Sequence, residues 1–381
     1  MNINRLILIS TLCANIILLT NCATSVIPAS LNSTSTKEKT KPMVDTSKEA
    51  QLNIPYRGLN TSKDITKIGF GSCVDQNKPQ PAWTAILNNS PDLFIMLGDN
   101  IYASRKDDRP FIDQYLKLNK EADYIKLREA TPFLATWDDH DYGQNDGGSD
   151  NPDKEEARRW FLKYWAYLKP TLPENQKALY HSRMIGQKNK VQVLMLDTRW
   201  DRSALSKNPE FNPDDKENIS PKIYLASDDK KAQILSAEQW TWLEGELKKP
   251  AKLRILVSSI QVIPEAHGFE KWGNFPKEKE KLIALLKKYK ARNTIILSGD
   301  RHLASFAQTD VKGLGKIFEI TSSGINKPSK AKFPEQDPSY LNEPFLLSHF
   351  GLLTIDWAKR IVTAEIKDEA NQIQREQQIK F

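Results

Sequence analysis

The chain of 381 residues contains few cysteines, and their spacing excludes several classes of site. Only Cys13, Cys22 and Cys73 are present, and no two of them form the C-x-x-C pair of a structural zinc tetrad. The G-x-S-x-G motif of a hydrolase serine is also absent. The sequence therefore supports neither a zinc ribbon nor peptide hydrolysis by a serine triad.

The charge pattern lacks the features of a nucleic-acid-binding protein. Lysine and arginine number 55 and aspartate and glutamate 48, and the resulting net charge of +7 is spread along the chain. No basic block interleaved with aromatics and no zinc-finger spacing occurs, so we expect no nucleic-acid-binding module. The densest basic patches, "KEKEK" and "LKKYK", are interpreted as solvated helix faces. A mild attraction to anionic substrates or lipid headgroups is the alternative.

The amino terminus has the pattern of an export signal. The stretch "MNINRLILISTLCANIILLTNC" has one basic residue and an apolar core too short and interrupted for a transmembrane helix. Its end, Leu19-Thr20-Asn21-Cys22, resembles a bacterial lipobox, in which the cysteine is acylated. We therefore expect residues 1–21 to be a signal peptide and Cys22 to carry lipid, with a plain cleaved signal as the alternative.

Residues 22–60 are expected to form a lipid-anchored, disordered tether. They are rich in Ser, Thr, Lys and Pro and show no apolar periodicity. Ala23 after the lipobox cysteine resembles lipoproteins sorted to an outer membrane. The sequence thus predicts a lipoprotein of the bacterial cell envelope that faces the periplasm or the cell surface, with the outer membrane favoured.

The body of the chain alternates short apolar runs with helical patterns. This alternation predicts an α/β domain, over residues 61–370, whose strand-end loops carry the chemistry. Consecutive strand patterns near the C-terminus suggest a second sheet, so two sheets packed between helices fit better than one doubly wound sheet. Residues 371–381 are expected to be a polar C-terminal tail, and "FIDQYLKLNKEADYIKLREA" is expected to be one helix.

Most of the buried runs end in residues that can bind metals. The residues that follow five of these runs are Ser72 and Cys73; Asp99, Asn100 and Tyr102; Asp138, Asp139, His140 and Asp141; Asp197, Arg199 and Arg202; and Asp300, Arg301 and His302. Helix caps explain one such end but do not require histidine, thiol and phenol. If the ends converge, their carboxylates destabilise the fold unless a cation neutralises them.

The ligand types constrain the metals. Cys73, the only thiol of the folded body, is either buried and inert or bound to a metal. Thiolate and phenolate both suit trivalent iron, whereas the Asp and Asn oxygens suit calcium or magnesium. The pattern therefore predicts a mixed site.

Five motifs resemble those of PhoD-like alkaline phosphatases, a family of the calcineurin-like metallophosphoesterase superfamily. They are "GSC", "GDNIY", "WDDHDYG", "LDTRWDR" and "SGDRH", in that order, and "GDNIY" is also similar to the G-D-x-x-Y motif of purple acid phosphatases. A further block, "IQVIPEAHGFEKWGNFP", resembles the compact PhoD-like subgroup. The resemblance implies a two-sheet αββα metallophosphoesterase sandwich.

The resemblance also implies metal ligands and an acid. Fe³⁺ would be bound by Cys73, Tyr102 and His302, and Asp99 would bridge to the second metal. Asp139 would bind that second metal, and Asp300 replaces a superfamily histidine, which favours Ca²⁺ over zinc; other divalent metals are possible. Gln261 is a candidate for the remaining ligand. His140 stands where the superfamily acid stands.

Basic residues beyond the ligands are candidates for substrate contacts. Arg199 and Arg202 are expected to grip phosphate oxygens, with pairing to Asp197 as the alternative. Arg301, His267 and Lys271 are further substrate candidates, with the alternative that the last two belong to a surface loop.

The predicted function is metal-dependent hydrolysis of phosphate esters, in which a metal-bound hydroxide attacks phosphorus. The partners expected are a phosphate-ester substrate and the membrane, reached through the lipid anchor, and the chain is expected to be a monomer. Two alternatives stay open: a phospholipase-like phosphodiesterase acting on phospholipids or envelope polymers, and a non-catalytic metal-binding surface lipoprotein.

Overall fold

A computed structural model describes residues 46–104, 106–214, 222–331 and 335–381. The predicted signal peptide and Cys22 lie outside these residues. Within them, no helix has both the length and the apolar character that crossing a membrane requires. The helices are α1 (Thr46–Ala50), α2 (Ala82–Asn89), α3 (Phe111–Leu118), α4 (Ala122–Ala130), α5 (Asp139–Tyr142), α6 (Lys154–Tyr164), α7 (Ala237–Leu247) and α8 (Pro276–Lys288), with 3₁₀ turns at Lys169–Thr171 and Trp272–Asn274.

The strands form two six-stranded sheets and a small hairpin. They are β1 (Lys67–Gly71), β2 (Leu93–Leu97), β3 (Phe133–Thr136), β4 (His181–Ile185), β5 (Val191–Met195), β6 (Ser206–Lys207), β7 (Tyr224–Leu225), β8 (Leu253–Ser258), β9 (Thr294–Ser298), β10 (Ala304–Val311), β11 (Gly315–Ser322), β12 (His349–Asp356), β13 (Ile361–Asp368) and β14 (Ile373–Lys380). The first sheet has the order β14-β13-β12-β1-β2-β3, and the second has the order β10-β11-β9-β8-β5-β4. Strands β6 and β7 form the hairpin.

The alternation of side chains along each strand builds the layers. In β2, Ile95 and Leu97 pack in the apolar layer between the sheets, whereas Phe94 and Met96 face the helices on the outer side. Strand β5 repeats this pattern, because Met195 lies in the layer between the sheets and Leu194 packs in the cluster that contains α7 and α8. Both faces of these central strands are therefore buried, which explains their continuous apolar runs. The predicted αββα sandwich is confirmed.

The strands near the C-terminus do not form a sheet of their own, contrary to the prediction. Strand β12 pairs antiparallel with β1, and β13 and β14 extend that same first sheet. Strand β11 instead pairs parallel with β9 of the second sheet. The predicted helix over residues 111–130 is also two helices, α3 and α4, because the chain turns at Asn119 to Glu121.

Both ends of the predicted domain extend further than expected. Leu52, in the segment assigned to the tether, is only 2% exposed and packs with the helices of the first sheet, and Glu49 pairs with Arg159 and Lys163. Residues 371–381 are not a tail, because β14 pairs with β13 along its length and buries Ile379. The segment is polar because it is an edge strand with one face in solvent.

Candidate metal centre and active site

The site forms where parallel strands of both sheets end at the same edge. Cys73 and Asp99 come two residues after β1 and β2, Asp139 comes three residues after β3, and Asp300 comes two residues after β9. Strands β1, β2 and β3 run parallel in the first sheet, as do β5, β8 and β9 in the second. Because the sheets stack face to face, the loops after these strands meet at one end of the sandwich.

Three overlapping groups of side chains at this edge could each hold a metal ion. The groups are Cys73, Asp99 and His302; Asp99, Asp139 and His140; and Asp138, Asp139 and Asp300. Within each group the ligand atoms lie within 4.8 Å of one another. Asp99 belongs to two groups and Asp139 to two, so the three form one continuous cluster.

Tyr102 completes the first group. Its hydroxyl oxygen lies 3.0 Å from Asp99 Oδ2 and 3.2 Å from His302 Nε2. The structure therefore brings together all six residues predicted as ligands: Cys73, Asp99, Tyr102, Asp139, Asp300 and His302.

The backbone is bent sharply at four of these positions. Cys73, Asp99, Asp300 and His302 have φ angles of 62°, 49°, 68° and 57°, in the left-handed region that non-glycine residues rarely adopt. Gly98 has a φ of 108°, and a Cβ there would lie 2.5 Å from Asp138 Cβ. Each such residue costs about 1–3 kcal/mol, so the fold tolerates strain to aim these side chains at one point.

The thiol and the phenol are buried among hydrogen-bond acceptors, and the one cation beside them in the described residues that contacts the phenol ring is Lys327. Cys73 Sγ lies 3.0 Å from Ser323 Oγ and 3.5 Å from Asp99 Oδ2. Burial, together with the charge of Asp99, raises the pKa of both Cys73 and Tyr102 well above their usual values. Burial lowers the pKa of His302 to about 3, which leaves a neutral imidazole. A bound cation of high charge is what would ionise this thiol and phenol.

The carboxylates of the cluster are only partly compensated by Arg199, which pairs with Asp138. Burial and the neighbouring Asp139 and Asp138 raise the pKa of Asp99 well above its usual value. Burial raises the pKa of Asp138 to about 8, although Arg199 opposes the shift. Asp138 Oδ2 and Asp139 Oδ1 are buried without a hydrogen-bond partner among the described residues. Unpaired buried acceptors of this kind fit a divalent or trivalent cation.

His140 stands at the border between the cluster and solvent. Its ring packs on Tyr102 with centroids 4.2 Å apart, and its backbone N–H donates to Asp99 Oδ1 at 3.3 Å. Its side chain is 20% exposed, and Nε2 lies 4.0 Å from Asp139 Oδ1. Burial lowers the pKa of His140, and Asp139 opposes that shift.

Arg199 and Arg202 do not face the site opening, contrary to the expectation that they grip phosphate. Both are fully buried. Arg199 pairs with Asp138 at 2.5 Å and with Glu270 at 2.7 Å, and Arg202 pairs with Glu270 at 2.8 Å. These contacts bind the guanidinium groups inside the protein, where they neutralise part of the acidic cluster.

A cavity of about 400 Å³ opens onto the cluster. Its lining includes Asp139, His140, Asp300 and His302, together with the cationic Arg301 and Lys330. Arg301 is held by an ion pair with Glu335 and by the ring of Phe269, 4.2 Å from its Cζ.

The other substrate candidates are not in this lining. His267 and Lys271 are 3% and 5% exposed and do not line the cavity, so they belong neither to its mouth nor to a surface loop. Gln261, the candidate for a remaining ligand, is fully buried and donates through Nε2 to Thr321 Oγ1 at 2.8 Å.

Sequence reasoning missed three residues at the site. Lys327 Nζ lies 3.1 Å from the centroid of the Tyr102 ring, Ser323 contacts Cys73, and Glu270 joins the two buried arginines. The stretch "ITSSG" offered a signal, since it also ends a buried strand in polar residues. Glu270 lies in an irregular segment, and its one signal was its position inside the block "IQVIPEAHGFEKWGNFP".

The family model of PhoD-like phosphatases matches residues 69–366. The chain belongs to the PhoD-like phosphatase family. This membership confirms the family indicated by the five motifs.

The relatives of this PhoD-like chain differ in length and sequence. Alkaline phosphatase D of Bacillus subtilis is 24% identical over 315 residues, which cover 71% of this chain and 50% of that protein. The chain thus spans about half the length of this curated relative.

Solved structures show the same fold at low identity. A structure of PhoD has a TM-score of 0.61 and 19% identity, covering 81% of this chain and 67% of PhoD. A dimetal phosphatase from Danio rerio has a TM-score of 0.50 and 9% identity, covering 84% of this chain and all of that one. GAP50, the anchor in the inner membrane complex of Plasmodium, has a TM-score of 0.50 and 11% identity, covering 84% of this chain and 90% of GAP50.

Proposed function

We propose that this PhoD-like protein hydrolyses phosphate esters with two metal ions held by the strand-end cluster. The observation that carries the proposal is the set of three overlapping ligand groups beside a cavity lined by His140 and Arg301. Family membership supports it. Similarity of fold alone does not establish hydrolysis. One solved structure with a similar fold is a dimetal phosphatase, and another, GAP50, is an anchor.

The donor set suits two different metals. Cys73, Tyr102 and His302 offer thiolate, phenolate and imidazole, which would suit Fe³⁺, and Asp99 belongs to two of the ligand groups. Asp139 and Asp300 offer oxygens, which suit Ca²⁺. When bound, such metals act as Lewis acids and lower the pKa of water.

The remaining residues would bind the ester and move a proton. His140 reaches the cavity and would donate a proton to the leaving oxygen, a contribution of about 10²–10⁴-fold in rate. Arg301 would hold phosphoryl oxygens, since its guanidinium lines the cavity and Glu335 and Phe269 orient it. Arg199 and Arg202 would act through Asp138 and Glu270 and not by contact with substrate.

The test is metal analysis of the purified protein together with hydrolysis assays on aryl phosphate mono- and diesters. We expect metal-dependent hydrolysis that Asp139→Asn abolishes. Asp310→Asn, at an exposed position of β10, is the matched control and should keep full activity. Hydrolysis that survives complete removal of metal, or survives Asp139→Asn, would show that the cluster is not the catalytic centre.

Anchoring to the cell envelope is a separate proposal, supported by the lipobox-like Leu19-Thr20-Asn21-Cys22. We expect the mature chain to begin at an acylated Cys22. Mass spectrometry of the mature N-terminus tests this, and an unmodified N-terminus at another residue would contradict it.

A further inference from the structure

A second cavity, of about 700 Å³, is lined by cations and aromatic rings. Five lining residues are basic, two are Trp357 and Phe381, and none has an acidic side chain. The basic residues are Lys252, Arg254, Lys290, Arg292 and Arg360. We call this cavity the basic cleft.

The basic cleft lies at the edge of the sandwich opposite the metal cluster. Lys252 and Arg292 come just before β8 and β9, and Arg360 lies in the turn between β12 and β13. The metal cluster follows the opposite ends of β1, β2, β3 and β9. A strand of five residues is about 17 Å long, so the two cavities are separate sites.

The cations of the basic cleft form no ion pair with an acidic side chain in the described part of the chain. The polar partners of two of them are neutral. Arg254, 6% exposed, donates to Gln192, Asn293 and backbone carbonyls. Lys252 donates to Asn189. Because buried charges are ordinarily paired, the positive charge of Arg254 inside the cleft wall is unusual.

The aromatic residues give the cleft a fixed wall. The rings of Trp357 and Phe381 meet edge to face with centroids 5.7 Å apart, and Trp357 Nε1 donates to the carbonyl of Ile65. The Cζ of Arg360 lies 5.9 Å from the centroid of Phe381. Contact with this ring already restricts the arginine side chain. Binding of a ligand to this arginine therefore costs less conformational entropy.

We propose that the basic cleft binds a ligand that carries two or more phosphate groups. Each phosphate group has a charge of about −1.5 to −2 and three acceptor oxygens, so two groups match the four exposed cations Lys252, Lys290, Arg292 and Arg360. Guanidinium groups suit phosphate because they donate two parallel hydrogen bonds. A volume of about 700 Å³ falls within the range of small-ligand pockets, whereas a surface for lipid bilayers needs no such depth.

The test uses the full chain and sodium tripolyphosphate, measured by titration calorimetry at constant ionic strength. The variant Arg292→Glu/Arg360→Glu should bind tripolyphosphate more weakly by roughly tenfold or more, the effect of losing a charge-assisted hydrogen bond. The control Lys312→Glu/Lys316→Glu makes the same charge change at exposed positions around the β10–β11 turn and should bind like the native protein. Both variants keep the metal centre, so any heat from tripolyphosphate binding there is the same in both and cancels in the comparison.

Three results would overturn the proposal. The first is equal affinity of both variants for tripolyphosphate. The second is equally tight binding of citrate by the native protein, which would indicate attraction of any anion. The third is binding to vesicles of anionic phospholipid without binding to tripolyphosphate, which would make the cleft a membrane-contact surface. Hydrolysis of aryl phosphates should be unchanged in both variants, so failure of the proposed hydrolytic function would be recognised separately.

Discussion

Replacement of Arg199 by methionine tests whether this arginine compensates buried carboxylates or binds substrate. Arg199 is fully buried; its Nε donates to Asp138 Oδ1 at 2.6 Å and its Nη1 donates to Glu270 Oε2 at 2.7 Å. Methionine has a similar length but no charge and no donor. The variant therefore leaves Asp138 without its cation and leaves Glu270 paired with Arg202 alone.

The expected loss of stability follows from this geometry. Removal of one partner from a buried ion pair costs about 3–5 kcal/mol, because the remaining charge stays buried and unpaired. Arg159→Met is the matched control, since Arg159 pairs with Glu49 at 2.7 Å with 48% of its side chain exposed. Exposed ion pairs contribute about 0–1 kcal/mol. The two variants should thus differ by about 2–5 kcal/mol in the free energy of unfolding.

The measurement is urea denaturation followed by far-ultraviolet circular dichroism, with steady-state kinetics on an aryl phosphate. Arg199→Met should unfold at clearly lower urea concentration than Arg159→Met. If the two variants unfold together and Arg199→Met only raises KM, then Arg199 contacts substrate and its assignment as a buried counterion is wrong.

Three further predictions concern the metal centre. Burial raises the pKa of Asp138 to about 8 and those of Asp141 and Asp146 to about 7, so these three carboxyl groups bind more protons in the native state than in the unfolded chain between pH 4 and 8. Burial lowers the pKa of all five histidines, which opposes this trend below about pH 7. The free energy of unfolding of the metal-free protein should therefore fall as pH rises from 7 to 9, and metal loading should weaken this dependence; a metal-free protein that is more stable at pH 9 than at pH 7 would contradict it. Tyr102→Phe should remove the tyrosinate part of the visible spectrum of the iron-loaded protein, and an active, iron-loaded variant with an unchanged spectrum would show that Tyr102 is only a packed aromatic. His140→Ala should slow hydrolysis of esters with poor leaving groups by about 10²-fold or more at unchanged metal content, whereas parallel loss of metal would make His140 a ligand.

The sequence by itself indicated the candidate ligands that the structure groups together, and the class of the fold. Continuous apolar runs are buried on both faces in the middle of stacked sheets, and the polar residues after them must leave the sheet at its edge. Cys73, Asp99, Asp139 and Asp300 could therefore be grouped without coordinates, because strand ends are local features of the chain. The family motifs consist of these same strand ends.

Only the tertiary structure decided what the arginines face and which sheet each C-terminal strand joins. Whether Arg199 meets a substrate or a counterion depends on Glu270 and Asp138, which are 71 and 61 residues away along the chain. Strand β12 lies beside β1, and the five cations of the basic cleft surround one cavity. Both arrangements depend on pairing between strands that are distant in the sequence. Local periodicity predicts that a segment is a strand, but it carries no information about the partner across the sheet, because partners are selected by packing of the whole core.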